Sequence, residues 1–443
     1  MSMHAVPKTV RWTTLKLTAN AGDNQLYLTD PVIDWLPGDR IVIATTSMNY
    51  KQSEVGVIAS VSSDRMIITL VDKLINTHVA YNQTYGDHKF TLGAEVGLMK
   101  SNIIIQGDDQ SVNTKFGGRI LISQTLYEGD ILYGQLKLSG VHFYRMGQKD
   151  FNTVTDARFP IAFISAGDMN NISYIKSCLF ENSLSTALGG FATTGLYMEN
   201  NIFYKTLAIW LTDGNHKLIH NLLIESIWSG ELTTDNQNLN ILFEAALDIK
   251  QASDLILQRN SIAGAERLCV YTQGNPCGES STTIWEKNII HSCLIGIMQL
   301  KTQYNCTLIS NAQIYSVSQF PVYWKTASAI QANNLQLVDN AGGIYPFTGL
   351  PGGRSHEISK KTFLFNNSLL VGRSGIQTCD DRPDTNAIKL GSELLGPTAP
   401  DGNGYLGMTS AQFMSGTGEP EKGKLVSWME DFSNGGAAYL SSN

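Results

Sequence analysis

Charged residues are scarce in this chain: Asp, Glu, Lys and Arg make up 16% of its 443 residues, against roughly a quarter in an average soluble protein. A surface so poor in charge has to be made from Asn, Ser, Thr and Gly, which suits extended β-surfaces better than charged helices. Basic clusters are missing too, and the formal net charge is -7. Nothing here tracks phosphates, so nucleic acid is not expected as a partner. No apolar run approaches the roughly 18 residues of a membrane-spanning helix. The opening MSMHAVPKTV lacks the basic segment and apolar run of a secretory leader, so the expectation is either a leader already removed or an internal piece. The six cysteines contain no CxxC pair, which leaves no zinc or redox signature, and no cofactor or metal is expected.

What is present points to secretion without proving it. Asn-x-Ser/Thr sequons begin at Asn82, Asn171, Asn305 and Asn366, each a glycan acceptor if the chain is exported. Cys269 and Cys277 stand eight apart in LCVYTQGNPC and are the pair expected to close a loop in an oxidising compartment.

From residue 135 the sequence repeats one short phrase, a polar pair followed by alternating apolar residues: LSGVHF, IKSCLF, MENNIF, LIHNLL, LQRNSI, WEKNII, LISNAQI, QANNLQL and LFNNSLL. Aligned, the phrases stack Gly140, Cys178, Asn201, Asn221, Asn260, Asn288, Asn311, Asn334 and Asn367 in one column, with steps of 20, 23 and 23 residues among them. Helices of that spacing need a 3.6-residue apolar stripe, whereas these phrases alternate at period two between Gly and Asn. Repeated short strands with turns at fixed positions form a parallel β-helix. An inward Asn at each turn is then able to bond the Asn of the next coil and satisfy buried backbone groups. The neighbouring Ile202, Leu222, Ile289 and Leu335 are expected to stack in the core. The Asn column is read as structural, in preference to a ligand ladder.

The first hundred residues carry strand-like runs such as RIVIATT and MIITLV between turns, without the Asn phrase. They predict a β-rich module laid against or capping the solenoid. The fold class is therefore all-β, a right-handed parallel β-helix preceded by a β-rich module. The expected division is 1–108 for the module, 109–395 for the β-helix and 396–443 for a continuation or terminal coil.

The run Trp35-Leu36-Pro37-Gly38-Asp39-Arg40-Ile41-Val42-Ile43, followed by Glu54, His78 and Leu92-Gly93-Ala94-Glu95-Val96-Gly97-Leu98, resembles the extracellular domain named for its eight glycines. That domain leads into a β-helix in the fibrocystins, the fibrocystin-like proteins and the cell-surface hyaluronidases. Ala246-Leu247-Asp248-Ile249, Asn260 to Arg267 and Gly274-Asn275-Pro276-Cys277 resemble the fibrocystin branch more. The resemblance covers about residues 4 to 430, and implies a cell-surface or secreted location. In related β-helices an Arg-aromatic-Pro-aliphatic-His-aromatic-His run sets two imidazoles on one strand face. The matching segment here, Arg158 to Ile164, holds Ala162 and Ile164 at those positions, and further family histidines are absent near Thr186–190 and Val270-Tyr271. The resemblance therefore implies a non-catalytic structural or recognition segment.

The alternative reading is a polysaccharide-degrading enzyme using Asp213 and Glu225 with Arg158 as an anion ligand. Carboxylates on neighbouring coils, about 4.8 Å apart per coil, would meet the spacing a glycosidase requires. Asp156, Asp168, Glu244 and Asp248 are further acidic candidates. His216 and His220, i and i+4 on a strand and turn, do not share a face as they would on a helix, which argues against a metal site. Tyr197, Trp210, Trp228, Tyr271, Trp285, Tyr315, Tyr323 and Trp324 recur along the solenoid. Inward ones fill the core, and a row of outward ones supports glycan binding. Both chain ends look mid-pattern, so the expected partners are other extracellular proteins or glycans, with end-to-end self-association into a filament as the way to cover open coil ends.

Overall fold

The computed structural model describes residues 1–86, 88–149, 158–227, 245–278, 283–299, 304–325, 328–347, 363–372, 374 and 437–440. Among these, helical geometry is confined to the turns Tyr50–Gln52 and Ser111–Thr114. Almost everything else regular is strand.

The strands wind into coils with three faces, forming a parallel β-helix. The first face is a seven-stranded sheet in the order Ser2–His4, Lys137–Ser139, Tyr174–Lys176, Tyr197–Glu199, Lys217–Ile219, Ile256–Gln258 and Ile284–Glu286. On the second face lie Ile104–Gln106, His142–Tyr144, Leu179–Glu181, Ile202–Tyr204 and Leu222–Ser226, and on the third Ile120–Ile122, Ile161–Asp168, Leu188–Thr194, Ile209–Gly214 and Ala245–Ser253. Ser261–Thr272 and Asn288–Gln299 run through both of the latter faces. Coils stack in phase, with Ile202 opposite Leu222 and Phe203 opposite Leu223.

Each three-residue strand of the first face turns one apolar residue inward between two half-buried neighbours, as in Tyr174-Ile175-Lys176 and Tyr197-Met198-Glu199. Their inward residues join one continuous core with those of the other faces. Phe143, Phe180 and Phe203 stack inside it with centroids 5.0 and 4.8 Å apart, the coil-to-coil spacing of a sheet. The corners between the first and second faces need left-handed backbone, and the chain fills them with residues such as Asn200, Asn311 and Asn334 at φ of 58°, 53° and 55°. Asn tolerates this region better than most side chains.

The small module is a six-stranded sheet of Trp12–Thr14, Gln25–Tyr27, Arg40–Ile43, Glu54–Val61, Ile67–Leu70 and Glu95–Leu98 around its own core, which includes Trp35. It lies flat along the second face and does not cap the coil end. Trp12, Val42, Ala44 and Met99 pack there on Leu179, Ile202, Leu222 and Ala263. Hence Ile202 and Leu222 point outward to the module, and Phe203 and Leu223 are the core residues. Ile289 packs against an outward cluster as well, whereas Leu335 is inside. The sheets do not divide at residue 108. Ser2–His4 already pairs with Lys137–Ser139, and Ile104–Gln106 with His142–Tyr144, so the module is inserted after the solenoid's first strand. Of the 396–443 region only Ala437–Leu440 is described, as a strand antiparallel to Ser368–Val371; the rest of that division lies outside the described residues.

Candidate functional site

The Asn column is two columns, one residue out of phase. Asn201, Asn221, Asn260 and Asn288 are buried and point inward. Asn201 Nδ2 donates to Asn221 Oδ1 at 2.9 Å, and the same bond joins Asn221 to Asn260 and Asn260 to Asn288 at 3.0 Å. Each of these oxygens also accepts the backbone N–H of the preceding coil, at 3.0–3.1 Å. The amide nitrogens further donate to Ile175, Met198, Leu218 and Leu257 carbonyls. Cys178 begins the column, its N–H donating to Asn201 Oδ1. Asn311, Asn334 and Asn367 stand elsewhere. Asn288 pairs in register with Ala312, which places Asn311 at the left-handed corner occupied earlier by His220, Arg259 and Lys287. On the outside, Asn334 Nδ2 donates to Asn311 Oδ1 at 3.0 Å and Asn367 Nδ2 to Asn334 Oδ1 at 2.6 Å. Gly140, at φ 71°, belongs to this corner set also.

The expected Cys269–Cys277 bridge is not formed. Cys269 joins Cys293 and Cys277 joins Cys306, with Cα atoms 5.9 and 5.5 Å apart. Stacking decides this: a disulfide needs Cα atoms about 5.5 Å apart, which facing coils provide and eight residues of largely extended chain do not. Cys178 is a buried free thiol, pushed up to about 12 by burial. Of the sequon residues, Asn82, Asn171 and Asn305 are exposed. Asn366 is half-buried, and its amide nitrogen donates to Asn333 Oδ1 at 3.2 Å.

The acids proposed for catalysis are not brought together. Asp213 ends the third-face strand Ile209–Gly214, and its Oδ2 accepts from Thr212 Oγ1 at 2.6 Å and Thr193 N at 3.3 Å. Glu225 ends the second-face run at the other edge of that face, at φ 48°. Burial pushes the Glu225 carboxyl up to about 7 against the pull of Lys205, whose Nζ lies 3.6 Å away. Arg158 precedes a third-face strand two coils before that of Asp213, and its carbonyl accepts from Ser185 Oγ at 2.8 Å. Asp156, Glu244 and Trp228 lie outside the described residues.

The histidines serve the interior and the joint with the module. His216 is buried, its Nδ1 accepting from Leu196 N at 3.2 Å and its Nε2 donating to Thr212 O at 2.8 Å. His220 stacks on Trp12 of the module at 4.1 Å, and burial together with Arg259 lowers it to about 4. Glu95, in the run Leu92 to Leu98, is buried between Ser261 Oγ and His291 Nε2, the latter at 3.2 Å. Arg40 reaches Glu181 at 3.0 Å, and His142 stands at the same distance from the other Glu181 oxygen. Burial alone would raise Glu181, but the bonds from His142 and Arg40 hold it below the usual carboxylate range.

One outward cluster remains, on the third face. In-phase stacking places Ala162, Gly189, Trp210, Asp248 and Tyr271 in a single outward row. Ala162 and Ile164 thus stand in an apolar cluster with Phe159, Phe191 and Trp210. Lys250 Nζ bonds Asp248 Oδ2 at 2.5 Å and lies over both the Trp210 and Tyr271 rings, at 5.3 and 4.7 Å. Burial raises the Asp248 carboxyl, with Lys250 opposing. The result is an aromatic edge in which Asp248 and Tyr271 are buried while Trp210 and Lys250 stay partly exposed. Lys250 escaped the sequence reading; its signal is the Asp-x-Lys spacing, which is meaningful only once Trp210 and Tyr271 are known to flank it. Of the other aromatics, Trp285 and Trp324 are core, Tyr197 faces outward on the first face, Tyr315 packs on Phe90 and Leu92 of the antiparallel pair Ala80–Tyr85 and His88–Gly93, and Tyr323 lies in a buried outward cluster. Among the described residues no group of three or more His, Cys, Asp or Glu is placed to hold a metal ion.

A family model described as the CEMIP beta-helix matches residues 115–254. Fibrocystin-L of Mus musculus is 33% identical over 417 residues, covering 91% of this chain and 10% of that protein. Fibrocystin of the same species is 26% identical, covering 91% of the chain and 9% of its own length. A cell surface hyaluronidase of Danio rerio is 28% identical over 44% of the chain and 15% of its own length. The chain thus spans about a tenth of the length of the fibrocystins it matches. Along nine-tenths of its residues, this chain is homologous to one segment of the fibrocystin and fibrocystin-like proteins.

Proposed function

We propose that this chain is a non-catalytic recognition segment of a secreted or cell-surface protein, and that its third face holds saccharide. The observation that carries the reading is the Trp210–Asp248–Lys250–Tyr271 edge. Trp210, partly exposed one coil before the Lys–Asp pair, offers an apolar face for a sugar ring, the pair offers a donor and an acceptor for its hydroxyls, and Tyr271, buried one coil on, backs the pair. Two coil-to-coil disulfides support an oxidising location, as do relatives named for the cell surface. The test is titration of the folded chain with a panel of neutral and uronate-bearing oligosaccharides, read by calorimetry and tryptophan fluorescence. Binding that falls at least tenfold in Trp210→Ala supports the reading. Absence of binding across the panel, or binding unchanged in Trp210→Ala and Tyr271→Ala, sinks it.

A second reading rests on Glu225, a carboxyl held near neutrality by burial, as a general acid is. Its drawback is that Asp213, the acid expected to work with it, sits at the far edge of the third face. Loss of polysaccharide chain length on incubation with the purified protein, abolished by Glu225→Gln, would establish it in place of the first.

A further inference from the structure

The three faces of the solenoid differ in what covers them. The second lies under the module, and outward side chains of the third, such as Phe191, Met298 and Tyr323, are buried. The first face is bare. Every outward side chain of its seven strands is half-buried or exposed, from Ser2 and His4 to Ile284 and Glu286. Stacking puts Lys137, Tyr174, Tyr197 and Lys217 in one outward row on successive strands, with Lys176 and Glu199 in the row beside it. That row spans three coil steps, about 14 Å at about 4.8 Å each. Its middle is held in place: Tyr174 Oη is 3.0 Å from His4 Nε2, and Lys176 Nζ bonds Glu199 at 3.2 Å while lying 5.4 and 4.5 Å from the two ring centroids. Arg259 and Lys287 extend the positive charge, exposed at the corner toward the second face. The only carboxylates on these strands are Glu199 and Glu286. Asp168, Asp213 and Asp254 stand exposed at the opposite corner, where third-face strands end. A chain of net charge -7 thus carries one strip of surplus positive charge.

We propose that this strip binds an acidic polysaccharide laid along the solenoid axis, at a site separate from the third face. Coils present their side chains at even steps, which suits a linear polymer that carries a carboxylate or sulfate at even steps. Tyr174 and Tyr197 supply aromatic surface for the sugar rings, and the ammoniums on either side of them meet the acid groups. Charge complementarity also sets the direction of the polymer. A flat anionic bilayer would press on both corners at once and meet the three acids, whereas a thread follows the basic side alone.

The test is titration of the folded chain with polygalacturonate, dextran sulfate and uncharged dextran, which separates carboxylate from sulfate and both from a neutral polymer. Phosphatidylserine vesicles are run beside them. The variants are Trp210→Ala and the double change Lys137→Gln with Lys217→Gln, which alters two side chains outside the core. Binding to at least one acidic polymer is expected, weakening with salt as exposed charge is screened. It should fall at least tenfold in the double variant at unchanged melting temperature, and stay the same in Trp210→Ala. Since the third-face reading requires a loss in Trp210→Ala, the two sites stand or fall separately. Absence of binding to both acidic polymers overturns the proposal, as does equal binding of dextran, binding indifferent to the double variant, or binding of the vesicles in place of the polymers.

Discussion

Coils built on Asn201 to Asn288 and coils built on Asn311 to Asn367 carry the same amide one residue apart, and the two stretches use it for different physics. In the first stretch the amide is inside the coil, where water cannot reach and where each oxygen accepts both a backbone N–H and the next amide. In the second it is on the corner, tolerated for its left-handed backbone and wet on one side. The later coils carry no amide at this inner position, and a buried one, Asn340, bonds the preceding coil at another corner. Ala312 and Leu335 occupy the inner position, and Ser368 Oγ accepts the Leu335 N–H at 3.2 Å. An Asn in a repeat is thus evidence for a turn, and only its register says which side of the wall it is on.

The comparison is broken most severely by Asn260→Leu, which takes a hydrogen bond from four groups on the two flanking coils, Asn221 N, Asn221 Nδ2, Leu218 O and Asn288 Oδ1. A loss of roughly 4 kcal/mol in urea unfolding is expected from unpaired buried groups at about 1–3 kcal/mol each. The later coils lean on other devices. Replacing Cys277 and Cys306 by Ser is expected to cost about 2–4 kcal/mol, and a loss as large as that from Asn260→Leu would show that the disulfide stands in for the missing amides. The second corner offers a titrating residue. Glu225 holds its proton more tightly folded than unfolded, so the protein loses stability as pH rises from about 4.5 to about 7. Glu225→Gln removes that loss. The variant should match the parent at pH 4 and exceed it at pH 8 by up to about 3 kcal/mol, from roughly 1.4 kcal/mol per unit; equal melting curves at pH 8 would contradict it. The smallest effect belongs to the outer column, where Asn334→Leu is expected to cost about 1–2 kcal/mol for left-handed backbone and Asn334→Gly a few tenths. Equal losses for Asn334→Leu and Asn260→Leu would erase the distinction between the columns.

The coil repeat and its strands were legible because period-two alternation and the spaced Asn phrase are local signals. The phase was not, because Asn suits both a left-handed corner and an inner ladder, and phrases such as MENNIF and LFNNSLL contain two candidates. Disulfide partners and the Asp248–Lys250 edge depend on which residues share a coil register, and the long gaps between phrases hide that register from the sequence. The outward direction of Ile202 and Leu222 was hidden for a different reason. An apolar side chain under a packed module looks, in sequence, like one in the core.

The module lying lengthwise has a mechanical consequence. A solenoid whose coils touch only their neighbours frays from an end, one coil after another. This one is tied to a splint: Arg40 grips Glu181, Trp12 grips His220, Glu95 grips His291, and the backbone of Thr91 and Lys89 accepts from Gln313 and Gln336. A pull along the axis therefore loads several coils in parallel, and none between Glu181 and Gln336 can unspool without tearing the splint from its neighbours. Synthesis meets the same constraint in reverse, since the splint is made first and its contacts with the coils, which begin at Leu179, are completed only when the chain has reached Gln336.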